Sequence, residues 1–142
     1  MKQMMKRIIL ALVLLLGIMC TTGAQTIRSA SNSTLATVES NGTVRDYRNF
    51  MIAKICNNGD IRDVGNRLLF RTESDGVIRD QYNSYLGKVD DKGIVRNSNY
   101  QYTGKIEDDG TVRDKNNQLI GYASGVPKTF AAIYFFFHSF SK

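Results

Sequence analysis

Gly76-Val77-Ile78-Arg79-Asp80 recurs in kind every 17 residues. Its relatives are Gly42-Thr-Val-Arg-Asp46, Gly59-Asp-Ile-Arg-Asp63, Gly93-Ile-Val-Arg-Asn97 and Gly110-Thr-Val-Arg-Asp114. The spacing is strict and carries no insertion, which identifies a repeat architecture before any other feature is weighed. The third position of every copy is β-branched: Val44, Ile61, Ile78, Val95 and Val112. Such residues favour a pleated, half-buried strand.

A second short segment closes each copy: Met51 to Ile55, Leu68 to Thr72, Tyr85 to Val89, Tyr102 to Ile106 and Leu119 to Ala123. Alternation along it predicts a strand with Tyr85, Gly87 and Val89 on one face, and Leu86 and Lys88 on the other. Gly87, Gly104 and Gly121 share one position with Ala53 and Phe70, so neighbouring backbone is expected close by. Between the copies stand Asn41-Gly42, Asn58-Gly59, Asp75-Gly76, Lys92-Gly93 and Asp109-Gly110. Asn-Gly and Asp-Gly predict tight type I′ hairpins. The other turn reads Asp-x-x-Asn in four copies, where Asp at the first position can accept backbone N–H bonds. The fourth copy departs from this pattern at both ends, with Asn97 and Tyr100.

A lone hairpin of strands about 17 Å long cannot bury its apolar face, so the copies must pack on one another. Equal lengths favour a closed ring over an open stack. Thr34 to Val38 aligns with the second strand of a copy, Ala36 falling at the small position, and is expected to complete the ring beside the last copy. The expected fold is all-β: a closed ring of five 17-residue β-hairpin repeats with a short C-terminal helix.

The ends of the chain read differently. Lys2, Lys6 and Arg7 precede an apolar run from Ile8 to Met19, and Thr22-Gly23-Ala24 precedes Gln25. This is the pattern of a signal peptide cleaved after Ala24. Met19 before Cys20 suits a lipid-attachment site poorly, and the apolar run is shorter than the ~20 residues that span a bilayer. The organisation expected is a signal peptide over 1–24, an N-terminal extension over 25–33, the repeat domain over 34–125 and an aromatic helix over 126–142 packed on the repeats. The mature chain has no transmembrane segment in this reading. The destination is export, to the periplasm or the exterior.

In the tail, Pro127 suits the first turn of a helix. The run from Phe130 to Phe137 is apolar on all sides, which argues for burial as a plug of the ring rather than a surface helix.

Lys2, Lys6 and Arg7 supply three of the six net positive charges. The remaining charges are interspersed, which argues against nucleic acid or an anionic membrane as partner. Only Cys56 survives cleavage, so no internal disulfide can form. Cys56 reads as an incidental thiol, and His138 as a structural residue; no metal site or cofactor is implied. The acidic runs at Asp90-Asp91 and Glu107-Asp108-Asp109 lack calcium-loop spacing and read as turn chemistry. No carboxylate pair or nucleophile elbow stands out, so no catalytic residue is assigned.

Two constellations remain. Closure places Arg45, Arg62, Arg79, Arg96 and Arg113 in a ring. They either pair with acidic residues of the next copy, at the Glu39, Glu73, Asp90 and Glu107 positions, or form an anion-binding collar. Pairing is the structural expectation. Tyr82, Tyr85, Tyr100 and Tyr102 crowd the third and fourth copies and are the candidate ligand-binding residues. Tyr85 and Tyr102 share an inward-type position, whereas Tyr82 and Tyr100 lie in turns.

The repeat units, the signal peptide and the tail Gly125-Val-Pro-Lys-Thr-Phe-Ala-Ala-Ile-Tyr-Phe-Phe-Phe resemble the 5-fold β-flower proteins, small exported bacterial proteins. The resemblance covers about residues 34 to 140. It implies the fold and brings no established activity and no functional residues. The function expected is that of an exported, non-enzymatic scaffold or binding protein of unknown ligand, with a glycan or an envelope protein as possible partner. The alternative is a carbohydrate-binding module using the tyrosine-rich side.

Overall fold

The computed structural model describes residues 25–138 and 140. The readings of residues 1–24, Cys20 included, lie outside the described residues. Twelve antiparallel strands form one closed barrel, each pairing with its neighbours in sequence and the first with the last. The strands are β1 (Gln25–Ser29), β2 (Thr34–Val38), β3 (Thr43–Asp46), β4 (Met51–Ile55), β5 (Asp60–Arg62) and β6 (Leu68–Thr72). They continue with β7 (Val77–Asp80), β8 (Tyr85–Val89), β9 (Ile94–Asn97), β10 (Tyr102–Ile106), β11 (Thr111–Asp114) and β12 (Leu119–Ser124).

The all-β closed ring of hairpin repeats with a short C-terminal helix therefore stands, but its seam lies elsewhere than expected. β2 does not meet β12. β1 lies between them, with Ile27 opposite Ala36 on one side and Ala123 on the other. The supposed extension over 25–33 is the first hairpin strand and its turn. Gln25-Thr-Ile-Arg-Ser29 stands 17 residues before Gly42-Thr-Val-Arg-Asp46 and is a divergent N-terminal copy of the unit. A β2 edge has unpaired backbone groups on one side, and β1 satisfies them.

Ile27, Val44, Ile61, Ile78, Val95 and Val112, one from each copy, are fully buried and form one layer of the lumen. Twelve strands enclose more space than side chains alone fill. The tail fills the rest. Helix α1 (Lys128–Ala132) enters from the rim where β12 ends, followed by a π-helical turn over Ile133–Phe137 closed by His138 N–H on the Ile133 carbonyl at 2.9 Å. Ten residues of helix rise about 15 Å, close to the length of the strands around them. Phe130, Ala131, Ala132 and Ile133 are fully buried.

The wider π-turn then spreads successive rings outward. A Cβ at Gly121, Gly104 or Gly87 would strike Phe135, Phe136 or Phe137 respectively, as well as the carbonyl of the adjacent strand. Each of these glycines thus seats one phenylalanine. In the second copy Phe70 supplies its own ring and faces His138 edge-on, with centroids 5.4 Å apart.

The two sets of turns share one geometry. Gly42 N–H bonds the Glu39 carbonyl, and Asn49 N–H bonds the Asp46 carbonyl. In each turn only the fourth residue has positive φ, +89° at Gly42 and +71° at Asn49. This is a type I turn followed by a left-handed residue, and it replaces the expected type I′ turn. With four residues in the loop, the Asn before glycine is the third turn residue and needs no positive φ. The first-position Asp behaves as expected: Asp46 Oδ1 accepts the N–H of Arg48 at 2.9 Å and of Phe50 at 3.0 Å.

Candidate functional site

One irregularity repeated in every copy decides which side chains face outward. Arg79 stands opposite Tyr85 although Ile78 stands opposite Gly87, so Leu86 is an extra residue in a bulge. The bulge shifts the period by one. Leu86 packs on the core and Tyr85 comes out beside Arg79. Tyr102 likewise lies opposite Arg96, and Thr103 takes the bulge. The inward position expected for Tyr85 and Tyr102 is corrected accordingly: both tyrosines stand in the arginine row on the outer wall.

The arginines form a girdle on that wall, since each follows a buried β-branched residue. Arg28, missed because its copy lacks the marker glycine, is a sixth member. Arg45, Arg62, Arg79, Arg96 and Arg113 each donate through Nη1 to the carbonyl of the left-handed turn residue four positions on, at 3.0–3.4 Å. Most also meet an acid, though one in the turn leading into their own strand rather than in the next copy. Arg45 Nε bonds Glu39 at 2.6 Å, Arg79 bonds Glu73 at 2.8 Å, and Arg113 lies 3.5 Å from Glu107. Arg62, whose copy has Cys56 at the glutamate position, turns to Asp60 at 3.3 Å.

Arg28 and Arg96 are the exceptions: Arg28 donates to the neutral Asn32 Oδ1 at 3.2 Å, and Arg96 is the member of the strict copies without an acid. Its acid would be Asp90, one methylene shorter than glutamate. Asp90 Oδ1 accepts the N–H groups of Lys92 and Ile94 instead, at 3.0 and 2.9 Å. Among the described residues Arg96 forms no salt bridge and is exposed.

The tyrosines gather beside it. Tyr85 and Tyr100 lie with ring centroids 5.8 Å apart. Arg79 sits 6.0 Å from the centre of the Tyr85 ring. Partial burial, reinforced by neighbouring Tyr100, pushes the Tyr85 phenol above the ordinary tyrosine range. Tyr82 is exposed in the adjoining turn. Tyr100 holds φ +60°, where every equivalent residue is asparagine, and remains 72% exposed. A tyrosine in the left-handed region is strained, and asparagine tolerates it better. The structure thus brings Tyr85, Tyr100 and Tyr102 together around Arg96, with Tyr82 at the border.

Elsewhere, a cleft of about 310 Å³ at the same rim is lined by Asp46, Arg48, Tyr47, Tyr134 and Phe140. Its charged groups are paired with each other: Arg48 meets Asp46 at 3.3 Å and lies over the Tyr47 and Phe50 rings. Cys56 is half-buried beside a cleft at the opposite rim. No cluster of metal-ligating side chains occurs among the described residues. Asp108 reaches Lys128 at 2.6 Å, and that bond holds its carboxyl below the usual range.

A family model described as "5-fold beta-flower protein" matches residues 24–139. No curated protein and no solved structure matches the chain.

Proposed function

This chain belongs to the 5-fold beta-flower family, and from that premise we propose that it is an exported, non-enzymatic scaffold that binds its ligand on the outer wall. Export rests on the signal-peptide pattern of residues 1–24. Strands of three to six residues are short beside the ~9–11 that cross a membrane, which supports a barrel working outside the bilayer. The binding reading draws support from how the polar groups are used. Asp46, Asp80 and Asp114 each hold two backbone N–H groups of their turn. They serve the frame rather than a reacting centre.

A carbohydrate ligand on the tyrosine-rich wall of the third and fourth copies is the more specific reading. The observation that carries it is Tyr100, an exposed ring kept at a strained position where the frame elsewhere uses asparagine. Sugar rings pack on such amphipathic aromatic faces. The test restores the frame's own residue. Tyr100→Asn should melt no lower than the parent yet lose at least tenfold in affinity for dextran or for polygalacturonate, measured by calorimetry. Unchanged affinity in that variant would remove the tyrosine wall from the function. For export, mass spectrometry of the secreted protein should find Gln25 at the N-terminus; a diacylated Cys20 there would overturn the cleavage reading.

A further inference from the structure

Four pairs of like charges stand directly opposite one another on the outer wall: Lys54 with Arg62, Arg71 with Arg79, Lys88 with Arg96 and Lys105 with Arg113. Directly opposed like charges weaken a sheet. In three pairs an acid beside the arginine offsets this: Asp60, Glu73 and Glu107. Among the described residues, Lys88 and Arg96 have none. The fourth copy has also exchanged the turn aspartate for Asn97, which keeps the same hydrogen bonds, to Asn99 and Gln101 N–H at 2.9 and 3.1 Å, without the charge. Three departures from the repeat thus meet in one copy. Asp90 is diverted into its turn, Asn97 is neutral, and Tyr100 supplies a ring. Two take negative charge away from Arg96, and one adds aromatic surface beside it. The diversion of Asp90 follows from Lys92, which stands where Asn41, Asn58, Asp75 and Asp109 accept the same turn N–H in the other copies; packing requires neither Asn97 nor Tyr100, since the other copies do without them.

We propose that Lys88 and Arg96, with Tyr102 on the far side of Arg96 and the Tyr85–Tyr100 pair next to it, form a subsite for an acidic sugar residue of a polysaccharide. The sugar ring packs on tyrosine and its carboxylate lies between the two cations. The guanidinium fork matches a carboxylate, and Lys88 adds a point charge. This rests on the tyrosine-wall reading and deepens it by fixing the charge of the ligand.

The probes are polygalacturonate, neutral dextran and single-stranded oligo-dT, titrated against the purified protein at low and moderate salt. Polygalacturonate is expected to bind more tightly than dextran and to weaken as salt rises. Lys88→Gln with Arg96→Gln should cost at least tenfold for polygalacturonate and leave dextran unchanged. The melting temperature should hold or rise, because an opposed pair of like charges is gone. Lys54→Gln removes a charge elsewhere on the wall and should change nothing. An equal loss in Lys54→Gln would reduce the effect to net charge and overturn the subsite. Dextran binding as well as polygalacturonate, with the double variant silent, would overturn the acidic ligand while leaving the tyrosine wall standing. Failure of both sugars would remove the wall itself, and the subsite with it. Tighter binding of oligo-dT would make the occupant a nucleic acid and refute the proposal.

Discussion

The two rims of the barrel are built from the same turn and tolerate different residues. At one rim the left-handed position is glycine in all five strict copies; at the other it is asparagine, or Tyr100. Backbone conformation does not make the difference. A Cβ at Gly76 would collide with the Val89 carbonyl of the adjacent strand, as one at Gly42 would with Ile55. At the asparagine rim the equivalent side chains are exposed. Neighbours, rather than the turn itself, decide which residue is admitted. The left-handed position of the glycine rim is closed to any side chain, and the turns around it carry acidic residues such as Glu73, Asp75 and Asp109. The asparagine rim is open, and the aromatic side chains of Tyr47, Phe50, Tyr82 and Tyr100 have accumulated there. Symmetry is broken where breaking it costs least.

Strand β7 offers the strongest test, because Gly76 and Asn83 flank it. Gly76→Ala combines a disfavoured φ of +92° with the carbonyl clash and should cost at least ~3 kcal/mol. Asn83→Ala meets only the conformational penalty and should cost about 1 kcal/mol. Denaturant midpoints of the two variants decide the matter; equal losses would mean that the rims do not differ.

Acid should loosen both rims. Asp63 is held below its ordinary range, first by the Arg67 N–H. For Asp46, burial pushes upward, but the Phe50 and Arg48 N–H groups outweigh it. Asp109 is lowered mainly by the Thr111 N–H. A carboxyl lowered in the folded state contributes stability that is fully present above the unfolded value, near 3.8, and is lost as pH falls through the folded one. The urea midpoint should therefore decline below about pH 4. Asn97 already does this work uncharged, so Asp46→Asn with Asp63→Asn should keep the fold and flatten that decline. An unaltered acid profile in the double variant would place the sensitivity elsewhere.

The smallest effect separates paired from unpaired girdle arginines. Arg79→Gln should lower stability by no more than about 0.5 kcal/mol, since its bond to Glu73 is largely solvent-screened. Arg96→Gln should cost nothing measurable or stabilise slightly. A larger loss in Arg96→Gln than in Arg79→Gln would contradict the assignment of Arg96 as an unpaired member.

Much of this arrangement was legible in the chain itself. β-branched third positions marked the lumen layer, and strand bounds such as Met51–Ile55 and Tyr85–Val89 followed from alternation. What escaped did so for definite reasons. Gln25 replaces the glycine that marks a copy, so the first hairpin was hidden; Ile27 and Arg28, in step with Val44 and Arg45, were the remaining signal. The bulge at Leu86 inverts the face of Tyr85, and a period-two reading has no means to anticipate one extra residue. Asn-Gly serves both type I′ turns and type I turns with a left-handed fourth residue, so the dipeptide alone does not choose. For the candidate site, the tyrosines and Asn97 and Tyr100 stood out in the sequence, but their convergence on Arg96 depends on pairing across β8, β9 and β10.

The seam between β1 and β12 sets an order in time. Thr26 meets Ser124, so the ring joins the beginning of the described chain to nearly its end. A chain emerging from its N-terminus carries two open sheet edges until residue 124 has appeared, and contacts so distant in sequence form slowly. The residues that fill the lumen, Phe130 to Ile133, emerge later still. Until then the wall has no interior to pack against. The wall therefore gains its packed interior only once Phe130 to Ile133 have joined a ring whose seam is already closed.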